Sequence, residues 1–368
     1  MGILWSVMLF GFGRGEDGYH CVSLEIRAGS RLACGRGELP SGSQRWPNVL
    51  GIGPAKSGST ALAHLLHSVP RVVTGNKTYA TGVWEDYPYE VAWLYRPEMV
   101  AKGLASYSKY FPPNENAVVF FEKTPKYSAH SLVPYRARTF LSNKLKLVLT
   151  TRGLLDLDAS LYLYREKLVT YREWFEARVR AHEAWADCRE RRFRVITGNT
   201  ITIESLHDPD YFDWQAASGA EHDLANVCGA VASVDANVTR FRDWISEIFV
   251  VWSLRRWTLV FPHEQNFLCI DSDSIKANPE MEQSRIFDFV GLPDQKYVPA
   301  AKKVLKATRT PTDRLVDVQI AKGVPEDDVP LLQKALLDWG RARTRCRDVD
   351  AFKRVCGYVP SDHDHCSS

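Results

Sequence analysis

Apolar residues along the chain fall into short blocks separated by glycine and serine. Val49-Leu50-Gly51-Ile52 is a compact apolar run. A Gly/Ser-rich stretch follows it, and from Ala61 to His67 the apolar residues take helical spacing. Val118–Phe121, Leu145–Leu149 and Phe267–Ile270 are further apolar runs of strand length. Helical patterns cover Leu132–Leu141, Leu154–Lys167, residues 172–187, Phe241–Phe261 before Pro262, and Asp327–Arg345. Strand-length runs alternating with helices predict βαβ units, so the expected fold is α/β, with a central parallel sheet flanked by helices in a single domain. Residues 13–46 are rich in Gly, Arg and Ser without periodicity. The expected division is therefore an extension over 1–46, one domain over 47–360 and a tail over 361–368, with an irregular insertion at 195–240.

Composition changes this picture little. With 368 residues, 45% hydrophobic and 25% charged, the chain can bury a sizeable core. Its net charge of +3 argues against a nucleic-acid-coating protein, and the sequence sets no oligomeric state. Eight cysteines with no C-x-x-C pair give no expectation of a zinc site. Cys346 and Cys356 enclose a short loop; pairing there in an oxidising compartment and free thiols in an intracellular enzyme both stay open. Ile3–Phe12 is an apolar run too short to span a bilayer. Read as the remnant of a targeting segment, it implies the Golgi or secretory lumen; read as a strand, it implies the cytoplasm.

The informative segment is Gly53-Pro54-Ala55-Lys56-Ser57-Gly58-Ser59-Thr60, between a predicted strand and a predicted helix. A helix N-terminus offers unpaired N–H groups and a positive dipole end, Gly58 permits close backbone approach, and the hydroxyls add donors, so the loop suits a phosphate. It nearly matches G-x-x-x-x-G-K-[ST], but Ser59 occupies the lysine position and the lysine stands inside the loop as Lys56. From there an ammonium can reach an oxygen that gains charge as it leaves a transferring group. Downstream, Arg152 ends the third apolar run and Ser160 follows inside the next helix, a pair suited to clamping a second phosphate.

Together these segments resemble the sulfotransferases that use 3′-phosphoadenosine-5′-phosphosulfate (PAPS). Pro47–Gly53 with Lys56–Thr60 resembles their 5′-phosphosulfate loop, and Arg152 with Ser160-Leu161-Tyr162 their 3′-phosphate motif. Glu122-Lys123-Thr124-Pro125-Lys126-Tyr127 is similar to a stretch of the glycan branch that includes heparan sulfate N- and 3-O-sulfotransferases, and Phe287–Pro293 to the family's F-L-G-L-P. The resemblance implies a P-loop-like sulfotransferase fold and transfer of a sulfuryl group from PAPS, with 3′-phosphoadenosine 5′-phosphate (PAP) as product and no metal required. It implies that Ala55, Lys56, Ser57, Gly58, Ser59 and Thr60 wrap the 5′ side, and that Lys56 assists departure of PAP. By the same resemblance Arg152 and Ser160 would hold the 3′-phosphate, and Lys123 would sit near the acceptor and the transferring sulfuryl. Lys306 and Arg309, in a loose match to the family's late cofactor loop, would by the same resemblance close over the nucleotide.

Two departures stand out. Where the glycan branch carries its base glutamate, this chain has Gly75–Ala80 without a carboxylate; the next acids are Glu85, Asp86 and Glu90, of which Glu85 is the expected base. Gly153-Leu154 replaces the Asp-Pro that follows the arginine in the family. His64 and His67 are expected to pack rather than catalyse, and His130 is a lesser candidate. The basic stretches at 189–194 and 341–347 suit either a polyanionic acceptor or a solvated helix face. The expected acceptor is a hydroxyl or amine of a carbohydrate. A small-molecule or lipid alcohol is the alternative, and a non-catalytic nucleotide binder or a P-loop kinase stands behind both. A kinase would use Glu122 as a metal carboxylate but lacks the lysine its loop requires.

Overall fold

The computed structural model describes residues 45–81, 89–100, 102–128, 130, 133–142, 144–165, 169–197, 228, 250–298, 310–344, 346–358 and 366. Numbered over these residues, the elements are β1 (Val49–Gly51), α1 (Ser59–His67), β2 (Val72–Thr74), α2 (Lys77–Thr81), α3 (Pro97–Val100), α4 (Leu104–Ser108), β3 (Val119–Lys123), α5 (Val133–Phe140) and β4 (Lys146–Thr151). They continue with α6 (Leu154–Arg165), α7 (Tyr171–Thr197), α8 (Val250–Val260), β5 (Phe267–Asp271), α9 (Ser272–Ala277), α10 (Pro279–Val290), α11 (Pro311–Ala321), α12 (Asp328–Arg343) and α13 (Cys346–Cys356).

The five strands form one sheet in the order β2-β3-β1-β4-β5, and every pair is parallel. The expected α/β architecture is present. Alternate residues of each strand face opposite layers, which is why strands buried on both sides read as unbroken apolar runs. Val49, Val72, Val119, Val148 and Ile270 pack on α1 and α10 through Leu62, Leu66, Ile286, Phe287 and Val290. Leu50, Val73, Leu147, Leu149 and Cys269 face a larger layer that includes Leu154, Leu157 and Leu161 of α6, Trp257 of α8, Leu336 of α12 and Phe352 of α13.

Several boundaries differ from the pattern-based expectation. β2 has three residues, too few to register as a run, and takes its place by pairing with Val119–Phe121. The helix expected over 172–187 extends to Thr197, and residues 198–227 and 229–249 lie outside the described set, as does the leader up to residue 44. The helix α13 begins directly beyond Arg345, where the apolar pattern predicted no further element.

The cysteines also pair differently. Cys346 joins Cys366 and Cys356 joins Cys269 of β5, while Cys188 of α7 joins Cys228. Cys346 and Cys356 sit at opposite ends of α13, and a helix of that length spans about 15 Å, far beyond the Cα separation a disulfide allows.

A buried polar centre sits behind the end of β3. Glu122 is 1% exposed; it accepts from the Tyr107 hydroxyl (2.8 Å), the Thr124 hydroxyl (2.6 Å) and, more distantly, the Ala92 N–H (3.4 Å). Tyr107 in turn stacks on Trp93, with ring centroids 4.6 Å apart. Burial pushes the Glu122 carboxyl above the ordinary glutamate value of 4.5, and the donated hydrogen bonds pull it partly back. Tyr107→Phe is expected to lower stability by about 1–3 kcal/mol, the cost of stranding a buried acceptor. Because the phenol favours the charged carboxylate, the loss should be smallest at acid pH and grow as pH rises through the Glu122 titration. Urea denaturation across that range checks both size and sign.

Candidate functional site

Strand order reverses at β1, which has β3 on one side and β4 on the other. In parallel sheets a ligand crevice opens at the carboxyl ends of the strands at such a reversal. Here β1 leads into the Gly53–Gly58 loop, β3 ends on Lys123, β4 is followed by Arg152, and β5 ends on Asp271, followed by Ser272.

The loop is fastened to β4. A Cβ on Gly53 would overlap the Thr150 hydroxyl and stand 2.6 Å from the Thr150 carbonyl oxygen, so only glycine lets the two backbones come this close. The buried Ser57 hydroxyl donates to the Pro54 carbonyl (2.7 Å) and lies 2.7 Å from the Thr150 hydroxyl. Gly58 then turns the chain into α1 at φ 94°. Lys56 has φ 68°, a region side chains rarely occupy and where residues at functional sites are often held. Ala55 and Lys56 are half-buried, Ser59 is buried at the first position of α1, and Thr60 is exposed beside it. The amino end of α1 therefore opens into the crevice.

Arg152 crosses to this loop. Its Nη1 donates to the Lys56 carbonyl at 3.0 Å, and its Nε is buried without a hydrogen-bond partner. Ser272 was not anticipated from sequence. Its hydroxyl is also buried without a partner, and its Cβ stands 3.7 Å from where a Cβ on Gly58 would be. The signal that could have found it is positional: Ser272 follows the end of β5 as Arg152 follows the end of β4. Between them, burial lifts the Asp271 carboxyl above its ordinary range, against the opposing pull of its bond from Asp273 N–H and of the Lys276 and Arg152 charges.

Gly153 does not disturb the helix that follows Arg152. Its carbonyl accepts the Leu157 N–H at 2.9 Å, and α6 starts at Leu154. Ser160 and Tyr164 are one turn apart on α6, so they share a face. The Lys56 ammonium lies 3.4 Å from the centroid of the Tyr164 ring, a cation–π contact that points Lys56 at this helix. Tyr162, which completes the resemblance to the 3′-phosphate motif, turns inward instead. Its hydroxyl donates to the Val169 carbonyl (2.6 Å) and accepts from Gln319 (2.8 Å) and Lys322 (2.9 Å), bracketing α6 to α11.

On the opposite side of the loop, Lys123 is 2% exposed, and its ammonium donates to Glu90 (2.6 Å) and Thr60 (3.2 Å). Glu90 thus stands beside the predicted sulfuryl-binding lysine. Glu85, the base expected from sequence, and Asp86 lie outside the described residues, as do Lys306 and Arg309. The chain just beyond Arg309 is anchored at this edge: the Thr312 N–H and hydroxyl donate to Asp156 in the first turn of α6 (3.3 and 2.8 Å). His67 bonds Thr74 (2.9 Å), His64 and His67 pack on Tyr89, and the His130 ring meets Tyr95 edge-on. In the basic stretches, Arg191 pairs with Asp187, and Arg343 pairs with Glu183 and stacks on Trp339. Glu122, raised above as a possible metal carboxylate, is committed to its buried hydrogen bonds.

The site therefore carries two sets of anion donors. One is the amino end of α1 with Lys56 and Lys123. The other is Arg152, with Ser272 adjacent, and both of these residues have buried polar atoms awaiting a partner. That arrangement suits a ligand anionic at two places.

The family model described as "Sulfotransferase domain" matches residues 47–309, well over half of the chain. A solved structure similar to this chain is the crystal structure of a sulfotransferase from Alicyclobacillus acidocaldarius, with 11% identity and a TM-score of 0.42, covering 84% of this chain and 96% of that one. A search of curated proteins finds no match.

Gly53→Ala tests the loop's dependence on β4. A methyl there must displace Thr150 or the loop itself, with an expected stability loss of about 1–3 kcal/mol. Nucleotide binding should fall further than stability does, because Ser57 and Lys56 move with the displaced backbone. Denaturation and equilibrium binding measured on the same preparation separate the two effects.

Proposed function

We propose, from the premise that this chain belongs to the sulfotransferase domain family, that it transfers the sulfuryl group of PAPS to a hydroxyl or amine of a carbohydrate. The observation that carries the reading is Arg152, whose Nη1 holds the phosphate loop while its Nε is buried without a partner. A donor with phosphates at both the 3′ and 5′ positions would use Arg152, Ser160 and Ser272 at one end and the Lys56–Thr60 loop at the other. Lys306 and Arg309 would close over it from the segment that enters α11.

In this reading the acceptor oxygen or nitrogen attacks sulfur as the bond from sulfur to the 5′-phosphate oxygen breaks. The electron pair of that bond leaves with PAP. Lys56, released from the Tyr164 ring, meets the charge growing on the departing oxygen. Lys123 stands by the sulfuryl oxygens. The acceptor's proton passes to Glu90, which is held by Lys123 and keeps 26% of its side chain exposed. Glu85 is the alternative base.

Three disulfides among the described residues favour an oxidising compartment such as the Golgi or secretory lumen over the cytoplasm. Carbohydrate chains are abundant acceptors there. A small alcohol remains the second outcome of an acceptor screen.

The test is single-turnover transfer from labelled PAPS to a panel of desulfated polysaccharides and small alcohols. Transfer to none of them would sink the reading. PAP should bind about ten- to a hundredfold more tightly than 5′-AMP, the worth of charge-assisted bonds to one extra phosphate. Lys56→Ala is expected to slow transfer by about 10²–10³ with its melting temperature kept, since the side chain lies on a loop. Glu90→Gln is expected to lower kcat by about 10²–10⁴ with PAP affinity retained. Full activity in Glu90→Gln together with loss in Glu85→Gln would move the base to Glu85.

A further inference from the structure

Helix α13 lies beyond residues 47–309, the span matched by the family model, yet it is fastened to the sheet at the edge where the site opens. Phe352 is fully buried in the core, Asp348 pairs with Arg255 of α8 at 2.5 Å, and Cys356, the last residue of the helix, is bonded to Cys269 of β5. Two residues later comes Tyr358. Its ring meets Phe352 edge-on, with centroids 5.4 Å apart, and 36% of it stays exposed. Its hydroxyl lies 2.6 Å from the Thr151 hydroxyl. Thr151 is the last residue of β4, pairs in register with Asp271, and directs its hydroxyl at the Ile270 carbonyl (3.4 Å). A chain of hydroxyls thus joins the end of α13 to the ends of β4 and β5. The next residue is Arg152.

We propose that Tyr358 is a positioning residue for Arg152, with α13 and its disulfide to β5 as the anchor. The inference rests on the reading that Arg152 receives the 3′-phosphate. An arginine that forks onto an anion gains its full strength only when its backbone is held, because misplacement by a fraction of an ångström breaks the paired geometry. Arg152 has no strand pairing of its own to hold it. Thr151 is the last paired residue before it, and Tyr358 supplies Thr151 with a partner from outside the sheet. Tyr358 thereby sets how strongly the site prefers a nucleotide carrying a 3′-phosphate.

The experiment measures binding of PAP and of 5′-AMP to the full chain by calorimetry, with thermal melting in parallel. Tyr358→Phe keeps the ring on Phe352 and removes only the hydroxyl. It is expected to weaken PAP about three- to tenfold while 5′-AMP stays within about twofold, because one hydrogen bond is lost at the 3′ end alone. Cys269→Ala combined with Cys356→Ala frees the end of α13 and should reduce the preference for PAP at least as much. If Tyr358→Phe keeps the wild-type ratio of the two affinities, or weakens both nucleotides equally, the inference is overturned. If the double cysteine variant does not fold, Tyr358→Phe alone decides. Wild-type protein that binds PAP and 5′-AMP equally would instead remove the 3′-phosphate assignment beneath it.

Discussion

Where β1 ends, the chain passes so close to β4 that Gly53 has no room for a side chain beside Thr150. Much else in the site follows from this approach. It sets the loop against the strand whose next residues are Thr151 and Arg152, and Ser57 locks it there through the Thr150 hydroxyl. With the loop fixed, Lys56 is held at a positive φ and Gly58 turns the chain so that the amino end of α1 faces the crevice. The Arg152 bond to the Lys56 carbonyl then ties the two strand ends into one unit. Each contact is worth little alone. Together they hold the candidate anion donors in fixed positions, the arrangement that electrostatic stabilisation of a transition state requires.

The end of β3 shows how one strand serves both core and site. Glu122 and Lys123 are neighbours, so their side chains leave opposite faces of the sheet. Glu122 goes inward to Tyr107 and Thr124 and braces the segment around Ala92. Lys123 goes to the crevice side, where Glu90 and Thr60 meet it. The segment that Glu122 braces begins two residues after Glu90, so the buried acid helps hold in place the loop that carries the proposed base. Two adjacent charged residues, alike in sequence, therefore have unlike work.

Covalent links extend the same logic to the carboxyl-terminal part of the chain. Cys269–Cys356 closes a long loop between β5 and α13, and such closure restricts the unfolded chain as well as fixing the folded one. Its placement matters more than its number, for it brings Tyr358 to the edge of β4. The bracket made by Tyr162, Gln319 and Lys322 does similar work for α11.

The sequence by itself determined the class of fold and the place of the loop between β1 and α1. Apolar runs buried on both faces, separated by helices, are legible because parallel strands covered on both faces are mostly apolar. The order Gly53, Lys56, Ser57, Gly58 is legible because a tight strand-to-helix turn makes local demands that local residues meet. Arg152 and Lys123 were legible for the same reason, each standing at the end of a visible strand. Tertiary structure alone decided the rest. β2 is three residues whose identity as a strand depends on β3 beside them. Ser272 becomes a candidate site residue only because β5 lies next to β4. Glu90 and Lys123 are separated by 33 positions, and no periodicity links them. Cys346 and Cys356 are near each other in sequence yet each pairs elsewhere, because a helix holds them at its opposite ends. Local pattern records what a segment needs of its own backbone. Which distant side chain completes a hydrogen bond, an ion pair or a disulfide is settled by packing, when separate strand ends are brought to one edge of the sheet.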